Sequence, residues 1–583
     1  MLDVRQRPAA RWREIDALER ALRWPGADPR AALVLANGLI AARQDERGRD
    51  GFRELAAEHP DRPLYLALAS LFTARAARRL PPEEALAAVE EAIAGLDRAV
   101  ARDPGVTTYL RGQVLAELPA GFGRAEAAVA DLEWVQANRD RFPPGLQRGV
   151  LRSLARAYTA LGREEDARRA LERSGQASLD GDEPVIVADY WLTVRDGFHF
   201  GPPRLRELAP GVLVAQGYDF ADFAFVSTGA GLVAIDAGTT PGNVRAALAA
   251  LPEVTDEPIT HVILTHAHWD HIGGLEALAG QGTEVIAQAR FPEELALVHA
   301  TAAPNSDFFG ADVTPLPDVR PDRLVAAPET LTVGGVELAL YPVAGGETVD
   351  GLLVHLPDRG LLFAGDVLMP YLGAPFLPEG SAEGLFETIE LIRRLAPRML
   401  VQGHTGLTEL FTVEMLPGYE AALRELHALV LEGVRTGEGL TAILERNHLP
   451  ELLREHPAAV IPYLVTRDNL IDRVHRQRTG YWQPGWEGVE HVSDREWAAA
   501  LDLLAGGREE AFATAAGALL EDAAYPVALR LADLGLAAHP ESQTLAGVRR
   551  RALDRLRERH QQLNPFKFIV YSSLAGAELP PVE

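Results

Sequence analysis

The run ITHVILTHAHWDHIGGLEALAG (Ile259–Gly280) decides how the rest of the chain is read. It opens as an apolar, β-branched strand, ITHVIL. It then places His266, His268, Asp270 and His271 within six positions and leaves through Gly273-Gly274 into an apolar helix. Alternation of side chains puts His266 and His268 on one side of the strand's end, while Asp270 and His271 fall one turn further on. Three imidazoles and a carboxylate so close together are poor core material, because burial strips each of its hydration. They are good ligands for first-row divalent cations. Two such ions about 3.5–4 Å apart can hold a bridging hydroxide and polarise a substrate oxygen.

Outward from this run the pattern is of short apolar stretches bounded by glycine: GVLVAQG, FAFVSTG, GLVAIDAG, TEVIAQ, GVELALYPV, GLLVHLP and GLLFAGD. Helical segments such as VRAALAAL lie between several of them, which predicts an α/β layered domain. Four further side chains stand at strand ends or in glycine turns, where ligands are presented to a cleft. Glu347 follows Gly345-Gly346, Asp366 ends LLFAGD, His404 follows MLVQG, and Asp236 ends GLVAID. Asp236 reads equally as a ligand or as an acceptor holding a metal-bound histidine from behind.

Both ends of the chain read as helical. Up to about residue 175 apolar residues recur at spacings of three and four, punctuated by Pro25, Pro60, Pro81, Pro104 and Pro143. The clearest unit, Leu154–Glu172, resembles half of a tetratricopeptide repeat, with its turn at Leu161-Gly162. Residues 176–205 lose periodicity and read as a linker. Helices return after about residue 412, interrupted by RTGYWQPGWEG (Arg478–Gly488).

Composition narrows the chemistry. The 583 residues predict several domains, and a net charge of −26 disfavours nucleic acid and anionic membrane surfaces as partners. There is no cysteine, and the one lysine is Lys567, so thiolate nucleophiles and thiolate metal sites are excluded and imine chemistry is left with a single residue. No G-x-S-x-G elbow is present. The amino terminus is charged from its third residue and no run approaches the roughly 20 apolar residues of a membrane helix, so a soluble, cytoplasmic protein is expected.

THAHWDH with Gly273-Gly274, Asp236-Ala237-Gly238, Gly365-Asp366 and Gly403-His404 together resemble the metallo-β-lactamase superfamily. The resemblance implies an αββα sandwich with a dinuclear metal site at one edge. His266 and His268 would bind the first ion, Asp270, His271 and His404 the second, and Asp366 would bridge. Most members carry a histidine where this chain has Glu347. A carboxylate there is similar to alkyl sulfatases, as are the stretch GYDFADFAFVSTGAGLVAIDAGTT and the aromatic signature Tyr481, Trp482, Gly485 and Trp486. That family implies a helical dimerisation domain.

The expected organisation is therefore a helical, tetratricopeptide-like region over 1–175, a linker over 176–205, a catalytic α/β sandwich over 206–435 and a helical dimerisation domain over 436–583. The expected function is a metal-dependent hydrolase holding two divalent ions, zinc first, with iron or manganese also suited to the oxygen-rich ligand set. Metal-activated hydroxide would cleave a small sulfate or carboxylic ester, with Asp270 and Asp366 as catalytic carboxylates. A lactonase, a thioesterase, a metal-centred redox enzyme and a non-enzymatic scaffold are the alternatives. Sulfatases grip their anion with arginine and histidine after the bridging carboxylate. Here that stretch, MPYLGAPFLPEGSAEGLFE, has no basic residue, leaving distant Arg473 or Arg478. Trp269, Phe308, Phe309, Tyr371 and Phe376 are candidates for an apolar substrate wall or for core packing.

Overall fold

The computed structural model describes residues 12–142, 146–174, 178–179, 185–186, 190–193, 197–309, 317–368, 381–479, 490–561 and 563–576, with backbone only at 190–193, 197, 253, 301–309 and 566. Two compact units make up the chain. One comprises Met1–Asp189, Glu445–Leu449 and Thr479–Gly576; the other comprises Tyr190–Leu444, Pro450–Arg478 and Ala577–Glu583.

Among its described residues the second unit has fourteen strands. A hairpin, β1 (Tyr190–Thr193) and β2 (Gly197–Phe200), precedes β3 (Arg204–Ala209), β4 (Val212–Gln216), β5 (Phe223–Ser227), β6 (Leu232–Ile235), β7 (Ile259–Ile263), β8 (Glu284–Gln288) and β9 (Arg323–Val325). β3 to β9 form one sheet in chain order, antiparallel up to β6 and parallel from β6 to β9. β10 (Glu329–Val333), β11 (Val336–Gly345), β12 (Thr348–Leu356), β13 (Leu361–Gly365) and β14 (Met399–Gln402) form the other, with only β13 and β14 parallel.

β4 shows why these strands read as continuous apolar runs: all five of its residues are buried. Val212 and Val214 face inward and pack with Leu338, Leu352 and Phe363 of the opposing sheet. Leu213 and Ala215 face outward and pack with Val244 and Ala247 of helix Pro241–Ala250. A strand covered on both faces has no solvent face on which to alternate polar residues. Helix Ala382–Leu395 covers β11 on the far side, completing four layers, helix, sheet, sheet, helix. The fold class is the expected α/β sandwich with helical regions on either side in sequence.

The first unit joins the two ends of the chain. Trp12 Nε1 donates to the Ala523 carbonyl at 3.3 Å, and Tyr525 OH donates to the Ala41 carbonyl at 2.7 Å. The Arg559 guanidinium lies 4.2 Å over the Trp12 ring and is paired with Glu14. The Leu161-Gly162 turn falls between helices Leu146–Ala160 and Glu164–Arg173, as its sequence suggests.

The expected boundaries follow chain order and these units do not. Residues 436–583 are divided, Pro450–Arg478 going with the sheets and Thr479–Gly576 with the amino-terminal helices. The stretch 176–205 is not all connection, since it contains the β1–β2 hairpin and the first residues of β3. Helical periodicity marks the buried face of each element but not which distant element covers it. The Tyr481–Trp486 signature, Tyr371 and Phe376 lie outside the described residues, as do the side chains of Phe308 and Phe309.

Candidate metal centre

The chain reaches the site by leaving one sheet and touching the other. Beyond β7, Leu264 N still bonds to the Ile286 carbonyl of β8 at 2.9 Å. The next carbonyl, that of Thr265, accepts from Leu352 N of β12 at 2.8 Å. His266 and His268 follow, and the short helix Trp269–Ile272 turns Asp270 and His271 back towards them. On the other side, Gly346 (φ +75°) makes the turn that carries Glu347. Any side chain there would strike the Val367 carbonyl.

Seven of the candidate side chains gather in two groups, each with its ligand atoms within 4.8 Å of one another and all buried. His266, His268 and Glu347 form the first. His266 Nε2 and His268 Nδ1 each lie 3.5 Å from Glu347 Oε2. Asp270, His271, Asp366 and His404 form the second. Asp366 Oδ2 lies 3.0 Å from His404 Nε2 and 3.3 Å from His271 Nε2, and Asp270 Oδ2 lies 3.4 Å and 3.6 Å from the same two atoms. The groups adjoin, since the His266 and His271 rings are 4.1 Å apart. Asp366, expected to bridge, has these contacts with the second group.

Asp236 belongs to neither group. It adopts a left-handed backbone (φ +61°), uncommon for a residue with a side chain. Its Oδ1 accepts from Thr265 N at 2.7 Å, and its Oδ2 accepts from Thr265 Oγ1 at 2.8 Å and His271 Nδ1 at 2.9 Å. Having given its hydrogen to Asp236, the Thr265 hydroxyl accepts from His266 Nδ1 at 3.0 Å. One carboxylate thereby fixes two imidazoles with Nε2 turned to the cluster, the backing role that metal-binding histidines use. His404 is fixed separately, Nδ1 donating to the Phe220 carbonyl at 2.9 Å.

The residues fit divalent cations. His266 Nε2, His271 Nε2 and Asp366 Oδ1 are buried without hydrogen-bond partners, although buried polar atoms are ordinarily satisfied. Burial, and next the His271 and His268 rings, push His266 well below the usual histidine range, leaving the neutral form a metal needs. Burial pulls His271 down too, but the carboxylates of Asp270, Asp236 and Asp366 outweigh it and hold it well above that range. Burial would lift Asp366, yet His404 and His271 hold it well below the usual carboxylate range. Such a cluster of buried anions calls for positive charge, and its nitrogen and oxygen donors suit zinc, iron or manganese.

Some neighbours carried little signal in sequence. Asp219 and Asp222 flank Phe220 in the loop before β5, inconspicuous except as two acids at the start of an apolar strand. Thr405 Oγ1 donates to Asp222 Oδ2 at 2.6 Å, and Asp222 N donates to the Gly403 carbonyl at 2.7 Å. Burial lifts the Asp222 carboxyl from 3.8 to about 7 against the opposing pull of Thr405 and His404. The fold thus binds this proton more tightly than the unfolded chain does. The resulting stability is fully present below about pH 3.8 and is lost as pH rises through about 7. Asp222→Asn, which mimics the protonated form, is expected to flatten a slope of at most about 1.4 kcal/mol per pH unit across that window. Denaturant unfolding at half-unit pH steps measures it, and an unchanged slope would refute the assignment.

Trp269 stacks on Phe220 with ring centres 5.7 Å apart and is buried, which makes it packing. Arg478 is paired with Glu383 at 3.0 Å.

Residues 219–404 match the metallo-β-lactamase superfamily. A hydroxyacylglutathione hydrolase of Rhodobacter capsulatus is 32% identical over 182 residues, covering 30% of this chain and 61% of that protein. A linear primary-alkylsulfatase of a Pseudomonas species is 21% identical over 333 residues, covering 50% of this chain and 62% of that protein. The chain thus spans roughly three-fifths of the length of each of these curated relatives. Among solved structures, an inverting sec-alkylsulfatase from a Pseudomonas species superposes with a TM-score of 0.51 at 19% identity, covering 64% of this chain and 66% of that one. That likeness is one of fold.

Proposed function

We propose that this metallo-β-lactamase domain works as a dinuclear metal hydrolase cleaving a small sulfate or carboxylic ester. The observation that carries the reading is the pair of adjoining buried groups, His266–His268–Glu347 and Asp270–His271–Asp366–His404. These would hold the two cations, zinc being the first to test and iron or manganese the alternatives. When bound, the ions supply Lewis acidity towards water and the ester oxygen. Asp270 and Asp366 are the catalytic carboxylates of this reading. In this reading Asp366 Oδ1, buried without a hydrogen-bond partner, would accept a hydrogen from the attacking water and so orient it. Asp270 Oδ2, beside His271 and His404, is the acceptor for the proton released on attack. Asp236 and the Phe220 carbonyl keep the imidazoles turned inward while that proton moves.

The carboxylate at 347 and the long alkylsulfatase match support a sulfate ester. The residue run 369–380, which lacks any basic side chain, and the hydroxyacylglutathione hydrolase match support an acyl ester. A parallel assay of an alkyl sulfate, the matching carboxylic ester and an acyl thioester decides among them. Hydrolysis of at least one is expected, abolished by a chelator and restored by zinc. Absence of metal-dependent turnover on all three would sink the hydrolase reading.

A cytoplasmic location and a homodimer through the carboxy-terminal helices belong to the same proposal. The outward-facing Trp497, Leu503 and Leu504 of helix Asp494–Ala505 support the dimer, because clustered exposed apolar side chains mark interaction sites. No described helix is long and apolar enough to cross a membrane.

A further inference from the structure

We infer that Asp219, which is in neither ligand group, is the positioning residue for His404 and thereby sets the affinity of the second cation. The inference rests on the two-cation reading above.

His404 presents Nε2 to Asp366 and Asp270 only because its Nδ1–H is held by the carbonyl of Phe220, 184 positions earlier in the chain. A backbone carbonyl in a loop is a precise acceptor only if the loop cannot move, and Asp219 is what holds this one. Its carboxylate is buried, with 1% exposure, and accepts four hydrogen bonds. Oδ1 takes Phe220 N at 2.9 Å and Asn243 Nδ2 at 3.3 Å; Oδ2 takes Thr239 N at 2.8 Å and Thr240 N at 2.9 Å. The donors belong to Phe220, the residue whose carbonyl is the His404 acceptor, to the turn after Asp236, and to the first turn of helix Pro241–Ala250. Asp219 therefore ties residue Phe220 to the segment leaving Asp236.

The same segment touches the second group again. Ala237 N donates to the His271 carbonyl at 2.8 Å, and Asp236 Oδ2 accepts from His271 Nδ1. Both imidazoles of the second group thus hang from the loops that Asp219 joins. The first group is tied less directly: His266 reaches Asp236 only through Thr265, Glu347 sits on the turn between β11 and β12, and neither uses the Phe220 carbonyl that holds His404. This asymmetry yields a result that general destabilisation would not produce. Loss of Asp219 weakens one cation and spares the other.

The test is a cobalt(II) titration of the full chain, followed by ligand-field absorption, with His404→Ala identifying which binding step belongs to the second group. Asp219→Asn keeps the size of the side chain but replaces one acceptor oxygen with an amide NH2, which can only donate. It is expected to weaken the second step 10- to 100-fold, the usual cost of losing a partner that orients a metal ligand, and to leave the first step within about twofold. Should Asp219→Asn fold poorly, Asn243→Ala removes only one of the four bonds and should shift the second step alone in the same direction, by a smaller factor. Equal weakening of both steps, or none, overturns the assignment while leaving the two-cation reading intact. A wild-type chain that binds no cobalt overturns both.

Discussion

Replacing His268 with alanine is expected to strip one of about two divalent ions from the purified chain and to lower ester hydrolysis by more than 100-fold. His268 Nδ1 lies 3.5 Å from Glu347 Oε2, and among the described residues the two share their group only with His266. Without this imidazole the first ion would keep two protein ligands, whereas catalytic sites of this kind ordinarily supply three. Loss of a partner that merely orients a ligand already costs roughly 10- to 100-fold in affinity or activity, so loss of the ligand itself should cost more. Elemental analysis beside a rate measurement checks both parts. A variant that keeps two ions and the wild-type rate would remove His268 from the site. A wild-type chain without bound metal, unchanged by added zinc, would return the sandwich to the scaffold alternative.

The second large effect is expected from a single methyl group. A Cβ on Gly403 would run into Asp366 Oδ1 and the Cε1 edge of His271, both in the second group. The backbone cannot retreat, because it is held on both sides. Gly403 N donates to the Gly365 carbonyl at 2.9 Å, and the Gly403 carbonyl accepts from Asp222 N at 2.7 Å. Gly403→Ala should therefore push Asp366 and His271 apart rather than shift the strand. The expected result is loss of the second ion and a fall in hydrolysis of at least 100-fold, with the first ion retained. Glycine is needed here for close approach and not for its backbone angle, since only the Cβ is in conflict. Full activity in Gly403→Ala would show that the second group is looser than its contacts indicate.

These variants mark where local reading stops. His266, His268, Asp270 and His271 were legible because all four lie on one strand end and its first helical turn, where side-chain direction follows from backbone geometry. Glu347, Asp366 and His404 were legible as exceptions, charged or imidazole side chains at the ends of apolar runs. Their division into two groups was not, because residues 81 to 138 positions from His266 meet it only through the packing of one sheet on the other. Asp236 could be read two ways from its strand, and its distance to His271 Nδ1 makes it the acceptor behind that imidazole. Asp219 and Asp222 gave almost no signal. Besides Asn243 and Thr405, their partners are backbone groups of Phe220, Thr239, Thr240 and Gly403, and backbone groups leave no mark on a sequence pattern.

By itself, then, the sequence determined the layered α/β class, the helical character of both ends, the metal-binding chemistry and the exclusion of thiol catalysis. Each depends on residue type, local period or an absence. The tertiary structure alone decided which carboxylate faces which imidazole, which loops hold the histidines, and that Tyr525 donates to the Ala41 carbonyl across 484 residues of sequence. Those outcomes depend on which apolar surfaces find one another. The hydrophobic effect that drives that choice is non-directional, so a periodic pattern shows that a face is buried and not what buries it.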